Sequence, residues 1–477
     1  MLSSLSRMIE SRGIRTGAGL RAAWEDVREI IGGERFVALL LSGSAAAFVV
    51  KVAGAGLGFL AHLVLARALG VSSYGTFVYV YTWTRILAMV SRMGFQNSLV
   101  RFVPEYSVRE EWALLKGACR RSFQLVAFVS GLMGLGLLAL VMLAPGAVGA
   151  GRAPVFAVAA VALPFLALLG VEKGLLRGWK HVALADLPDL VIRPALLLFS
   201  VVVLYWFVGG DGISATGATA LHSGGMVFAV VAGAVFLKKT TPSELERKTS
   251  PAYESRKWLS VSLPLLLVSG MYMLSRHVSL MTVAFLTGDR AAGLLGAGLR
   301  VSRIVVFGLS ATNMIVAPLI AELYHKENRA ELQRLLTVAA WGIFGITVLL
   351  SVGLVTVGPL ILGAFGEGFR PAYLPLVIIL IGQLVNSMSG AVGFIMLMTG
   401  HQNQAAVIVG TSVALNFVLC LILVPVFGVI GGAMAMCAGI AFWNIAMVVY
   451  VWRKLGLNPT VLPRRWMSRF YAGRSEP

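Results

Sequence analysis

The sequence predicts an all-α integral membrane protein of about twelve transmembrane helices, and two observations carry that prediction. Apolar runs of about twenty residues, the length that crosses a bilayer core, recur along nearly the whole chain. Lysine and arginine gather in every second gap between those runs. Composition agrees: of 477 residues 58% are hydrophobic and 13% charged, where a soluble domain is about half apolar and a quarter charged. Mean hydropathy is +0.85.

The predicted spans lie near 36–66, 75–95, 118–144, 153–175, 189–208, 213–237, 259–286, 292–320, 334–357, 371–398, 404–426 and 428–452. Pro359, Pro371 and Pro375 interrupt the stretch before the tenth span, so 358–370 reads as a loop. The segment from Met1 to about Gly33 is polar and has no apolar h-region, which reads as a cytoplasmic tail. An amphipathic helix on the inner leaflet is the alternative for it.

Loop charge sets the expected orientation. Basic residues occupy the N-terminal tail, then Arg101, Arg109, Lys116, Arg120 and Arg121, then Lys173, Arg177 and Lys180. They return between Lys238 and Lys257, at Lys326, Arg329 and Arg334, and from Arg453 through Arg464, Arg465, Arg469 and Arg474. The intervening loops hold only Arg152, Asp211, Asp289, Arg290, Glu367 and Arg370. By the positive-inside bias both termini are cytoplasmic.

The same placement accounts for the net charge of +19. A nucleic-acid binder concentrates such charge on one face of a folded domain, so no nucleic-acid partner is expected. Cys119, Cys420 and Cys437 show no metal or redox spacing. No glycine-rich loop ends in Lys-Ser or Lys-Thr, and Gly54-Ala-Gly-Leu-Gly58 sits inside an apolar run, where it suits close helix packing better than a dinucleotide loop. His62, His222 and His277 stand singly and read as interior positions rather than ligands. No cofactor is expected, and catalysis is not.

The polar break 238–258 divides the spans into six plus six. This gives a bundle at 36–237, a cytoplasmic linker at 238–258, a bundle at 259–453, and cytoplasmic tails at 1–35 and 454–477. The halves echo each other in order. Gly70-Val-Ser-Ser-Tyr-Gly75 matches Gly288-Asp-Arg-Ala-Ala-Gly293, and Asn97-Ser-Leu-Val matches Asn313-Met-Ile-Val. Gly178 matches Gly400, and Gly212…Gly217-Ala218 matches Gly428…Gly432-Ala433. A six-helix unit begins and ends on one side, so the repeat is parallel, and transporters place substrates at such repeat interfaces.

At these landmarks the chain resembles the oligosaccharide flippase branch of the multidrug/oligosaccharidyl-lipid/polysaccharide exporter superfamily. The residues are Leu65-Ala-Arg-Ala-Leu-Gly70 through Gly75, Gly94-Phe95, Leu99-Val-Arg-Phe-Val-Pro-Glu-Tyr106 and Gly174-Leu-Leu-Arg-Gly178. Gly293, Asn313, Pro318, Glu322-Leu-Tyr324, Gly400-His-Gln-Asn403, Asn416, Pro425, Gly428 and Gly431-Gly-Ala433 complete the pattern, which spans Phe36 to Trp452. The resemblance implies two six-helix bundles around a central cavity. It implies movement of undecaprenyl-diphosphate-linked oligosaccharides, such as O-antigen, capsule or exopolysaccharide units, across the cytoplasmic (inner) membrane. A polysaccharide polymerase and a chain-length regulator are the partners it suggests, beside membrane lipids. Many relatives carry an acid in the first helix of the second half, where this chain has Arg276-His277, so an ion-coupling role for that acid has no counterpart here.

Charged residues inside spans are costly and are functional candidates by default. Lys51 lies in the first span, Arg85 and Arg92 share a face of the second, Arg276 lies in the seventh, and Arg300 and Arg303 lie three apart in the eighth. Arginine grips phosphate bidentately, so this cationic interior suits a lipid diphosphate and repels a cationic drug. Plainer readings stand beside it: Arg92 and Arg303 snorkel to an interface, Arg193 pairs with Asp189, and Arg67 anchors a helix end. Pro164, Pro194, Pro264, Pro318 and Pro425 are either static kinks or bends in a rocking machine. Two other functions remain open. One is a cation-coupled multidrug exporter of the same superfamily, which would need membrane-embedded acids. The other is a non-transporting scaffold of a glycan-assembly complex.

Overall fold

The computed structural model describes residues 45–208, 213–246 and 250–462. The tail 1–35, the predicted span start at 36–44, Asp211, and Arg464, Arg465, Arg469 and Arg474 lie outside the described residues. Every regular element among the described residues is helical.

Among the described residues nine helices are long and apolar enough to cross a membrane, and two of them are hairpins. Ala45–Ser91 would run about 70 Å if straight, more than twice the roughly 30 Å bilayer core. It reverses at Gly70, whose φ of 70° and ψ of 175° leave the helical region. The reversal brings His62 Nδ1 to 3.2 Å from the Tyr74 hydroxyl, a pair that would lie about 18 Å apart along one straight helix. Gln402–Leu455 reverses likewise at Gly428, and Ser412 Oγ donates to the Gly439 carbonyl at 2.8 Å across the hairpin.

Counting both hairpins and the long helix Asp289–His325, the described residues make twelve passes. They are α1 (45–69), α2 (71–91, continued beyond Gly94 as Phe95–Val108), α3 (Trp112–Leu143) and α4 (Ala153–Gly178). Next come α5 (Val182–Leu187, a π turn Pro188–Ile192, then Arg193–Val208), α6 (Ala215–Thr240), α7 (Ser255–Thr287) and α8 (Asp289–His325). The last are α9 (Arg329–Phe365), α10 (Tyr373–Met388, then Val392–Met398), α11 (402–427) and α12 (429–455). Most predicted spans fall within a few residues of these helices.

The exception is the predicted loop at 358–370. α9 continues through Pro359 to Phe365, and a short 3-10 turn, Glu367–Ala372, leads into α10. A proline lacks the N–H that would bind the carbonyl four residues back, and an orphaned carbonyl normally ends or kinks the helix. Here the Tyr373 hydroxyl donates to that carbonyl, Val355, at 3.0 Å. The freed acceptor is satisfied and the helix survives the proline.

α10 itself breaks at Gly390, and the chain leaving α12 fills the break. Val461 N–H donates to Met388 O at 3.2 Å, and Gln333 of α9 makes two 2.8 Å hydrogen bonds with the Asn458 backbone. Residues 457–462, which fall within the expected tail 454–477, are therefore packed on α9 and α10.

α2 and α8 meet in a reciprocal contact. A Cβ on Gly75 would strike the Asp289 carbonyl, and one on Gly293 would strike the Val71 carbonyl. Val71 corresponds to Asp289 and Gly75 to Gly293 at one constant offset of 218 residues (289 less 71, 293 less 75). That is the register of the sequence repeat, so equivalent residues of the two halves face each other across a local two-fold axis. The glycine stripe of α1 acts as expected at Gly54, where a Cβ would come within 2.7 Å of the Leu190 carbonyl on α5.

Candidate cationic site between α1, α2, α7 and α8

The site begins with one stripe of α2. Tyr74, Phe77, Tyr81 and Arg85 recur every three or four residues and so share a face. Tyr74 and Phe77 are buried. The Phe77 and Tyr81 rings lie nearly parallel at 6.0 Å, and His222 of α6 stands edge-on to them at 5.6 and 4.7 Å. The guanidinium groups of Arg85 and Arg193 lie 5.7 and 5.9 Å from the Tyr81 ring centre, within cation–π reach.

α5 supplies the counter-charge. Its π turn, a feature often found at functional sites, carries Asp189. Asp189 meets Arg193 at 2.9 Å and Lys173 of α4 at 2.9 Å. Lys173 also reaches Asp186 at 3.2 Å, and Arg177 holds Asp186 at 2.8 Å. Two carboxylates thus face three cations, and the pairing of Arg193 with Asp189 is as the sequence suggested.

α8 brings the remaining arginines. Arg300 Nη2 donates to His62 Nε2 of α1 at 2.7 Å, and the other ring nitrogen faces Tyr74. Arg303 follows Arg300 by three residues and Arg276 projects from α7; both are exposed. Arg276, Arg300 and Arg303 all lie within electrostatic range of Arg85. None of the four is buried and they come from both halves of the chain, and the region they border is termed the cleft. Arg85 and Arg303 are also 218 residues apart, each ten residues beyond the Gly75–Gly293 contact. They are the two-fold mates of one position.

Arg92 is committed elsewhere. Its Nη atoms donate to Gln96 Oε1 at 2.8 Å and to the Leu166 carbonyl at 2.7 Å, stapling α2 to α4. Lys51 is half-buried on α1 about 16 Å from His62 along the helix. The hairpin places it level with the stretch between Arg85 and Arg92, since it precedes Gly70 by 19 residues and they follow it by 15 and 22. Arg67 donates to the Ala364 carbonyl at the end of α9, the helix-end role expected of it.

At the opposite end Arg152 pairs with Asp289 at 2.7 Å, Thr76 donates to the same carboxylate at 2.7 Å, and Glu367 pairs with Arg370. Four of the charges of these loops thus neutralise one another in pairs. An apolar groove of about 300 Å³ between α4 and α6, lined by Val158, Val161, Phe165 and Val227 among others, offers no charge for an ionic ligand.

Among the described residues no three His, Cys, Asp or Glu side chains gather as a metal site. One acid inside a span escaped the sequence reading. Glu172 of α4 is 3% exposed, and its Oε2 has no hydrogen-bond partner. Its signal was its place within the predicted span 153–175, masked by the neighbouring Lys173.

A family model described as polysaccharide biosynthesis protein matches residues 40–324, more than half the chain. The chain belongs to that family. No curated protein matches it. Among solved structures, an inward-facing multidrug resistance MATE family transporter of the MOP superfamily is similar with a TM-score of 0.71 and 13% identity, covering 86% of this chain and 98% of that one. An outward-facing MATE transporter gives 0.63 with 14% identity over 87% and 95%. A MOP superfamily transporter from Pyrococcus furiosus, whose description notes a reversed polarity of the binding pocket, gives 0.61 with 14% identity over 86% and 95%. This polysaccharide biosynthesis family member is therefore a multi-pass membrane protein with the two-lobed MOP transporter fold.

Proposed function

We propose that the protein moves undecaprenyl-diphosphate-linked oligosaccharides across the cytoplasmic membrane by alternating access, for cell-surface polysaccharide synthesis. The observation that carries this reading is the grouping of Arg85, Arg276, Arg300 and Arg303, none of which pairs with a carboxylate among the described residues, while Asp189 is already held by Lys173 and Arg193. A diphosphate supplies the negative charge this cleft lacks, and guanidinium groups bind its oxygens in pairs. The glycan occupies the open cleft while the lipid tail stays in the bilayer. Family membership supports a polysaccharide cargo, and the higher TM-score against the inward-facing transporter supports a cleft open to the cytoplasm.

In this reading the 36–237 and 259–453 halves rock about the Gly75–Gly293 contact, both termini are cytoplasmic, and a polymerase and chain-length regulator receive the product. Lys51 and Arg276 flank the path of the head group. The test is lipid-linked glycan movement in everted vesicles. Transport is expected to fall sharply in the Arg276→Ala plus Lys51→Ala variant; transport equal to wild type would remove those two residues from the site. Unchanged polymer export after neutralising Arg85 and Arg303 as well would leave the scaffold reading standing instead.

A further inference from the structure

Of the two buried acids among the described residues, Asp186 and Glu172, only one is neutralised. Asp186 is gripped by Lys173 and Arg177. Glu172 is the residue next to Lys173, yet consecutive helical residues point about 100° apart. Lys173 turns to the acids of α5, and Glu172 turns to α6. There its carboxyl lies in a notch made by Gly233, where any Cβ would collide with it. The notch offers Oε2 no donor and no cation.

The packed elements bring several charged groups toward this level, and none of them bonds Glu172 Oε2. Lys173 of α4 is held by two aspartates, and Arg92 of α2 by Gln96 and Leu166. α3 carries Arg120 and Arg121, the latter with a buried, unpartnered Nε. α6 carries Lys238 and Lys239 in its last turn and His222 three turns above Gly233.

A carboxylate shut away from water with neither cation nor donor is among the costliest arrangements a protein interior can hold, and one added proton removes that cost. We propose that Glu172 is a proton-binding site whose occupancy is tied to the packing of α4 against α6. In the packing described here the carboxyl is neutral and fits the Gly233 notch. When it gives its proton to water, the carboxylate needs a partner, and the cation next to it in the chain is Lys173. To offer Lys173, α4 must turn, which loosens the hold of Lys173 on Asp186 and Asp189. Asp189 is then left to Arg193, which faces Tyr81 and Arg85 in the cleft. One residue step along α4 thus joins a proton to the cationic site, in place of the acid that the seventh span lacks. The proton site stands without the proposed cargo; only its coupling to lipid movement rests on that reading.

Two measurements on the full-length reconstituted protein test the proposal without any lipid-linked substrate. Difference infrared spectroscopy at neutral pH is expected to show a protonated-carboxyl band that Glu172→Gln removes. Distances between spin labels on the two halves are expected to shift with pH in the wild type and to lose that shift in Glu172→Gln, and also in Glu172→Leu, which refills the notch should the glutamine variant fold poorly. A band unaffected by Glu172→Gln, or a pH-driven shift that persists in both variants, would overturn the proposal. If both results hold yet lipid-linked glycan does not move in vesicles, the cargo reading fails and the proton site remains.

Discussion

Arg300 of α8 donates to His62 of α1 across 2.7 Å, and this one hydrogen bond ties the second half of the chain to the first inside the cleft. A guanidinium can only donate, so Nε2 accepts and Nδ1 carries the hydrogen toward Tyr74. The bond aims Arg300 and keeps it available, because a diphosphate offers a better acceptor than imidazole. His62→Gln keeps an acceptor in place and is expected to retain most transport. His62→Leu removes it, and the loss of a hydrogen bond to a charged group, about 1.5–3 kcal/mol, predicts a drop of about tenfold or more. Initial rates of lipid-linked glycan movement check this; equal rates in the two variants would show that the bond does not position Arg300.

Arg85 and Arg303 occupy one position of the repeat twice over, so a single diphosphate between them would be gripped from both sides. Each alanine substitution is expected to weaken binding of undecaprenyl diphosphate by about ten- to a hundredfold, as loss of a charge-assisted bidentate contact does. Because both would hold one ligand, the double variant should depart from additivity by about 1 kcal/mol or more. Binding measured by native mass spectrometry across the double-mutant cycle decides it. Strict additivity would place the two arginines on separate ligands.

The membrane class and the helix count were legible in the sequence, because span length and charge placement are one-dimensional properties. The hidden parts depend on what a side chain meets in space. Arg92 and Arg85 share a helical face seven residues apart, yet Arg92 reaches the Leu166 carbonyl while Arg85 reaches the cleft. Pro359 looked like the end of a helix because its rescue by the Tyr373 hydroxyl comes from the next span. Glu172 was hidden by Lys173, since adjacency in sequence suggests a pair that helical geometry forbids.

The ion-pair chain Arg177–Asp186–Lys173–Asp189–Arg193 is expected to act as framework rather than as ligand. Lys173 is 13% exposed at its side chain and serves both aspartates. Lys173→Ala takes the shared cation away and leaves Asp186 to Arg177 alone and Asp189 to Arg193 alone; removing one member of such a partly buried network costs up to about 3–5 kcal/mol. Thermal unfolding in detergent should show a clear fall in midpoint for Lys173→Ala. A triple variant, Lys173→Met with Asp189→Leu and Arg193→Met, should recover part of it, since matched apolar replacement leaves Asp186 paired with Arg177 and no charge of the network unpaired. An unchanged midpoint in the single variant would mean that the network carries no stability.

The Gly75–Gly293 contact makes the sharpest steric prediction. At both glycines the atoms that a methyl would meet are backbone, Asp289 and Val71 carbonyls, which cannot rotate away. Gly293→Ala must therefore push α2 and α8 apart, at the cost of about 1–3 kcal/mol that overpacking carries. Gly296, one turn further along, is the natural control. Its added Cβ would meet Val78 Cγ1 at 3.2 Å, a side-chain methyl that can shift. Cysteines placed at Ser72 and Arg290, adjacent to the contact and exposed, are expected to cross-link in the parent and in Gly296→Ala but poorly in Gly293→Ala. Equal cross-linking in all three would show that the halves are not held at this crossing. The axis about which they rock would then have to lie elsewhere.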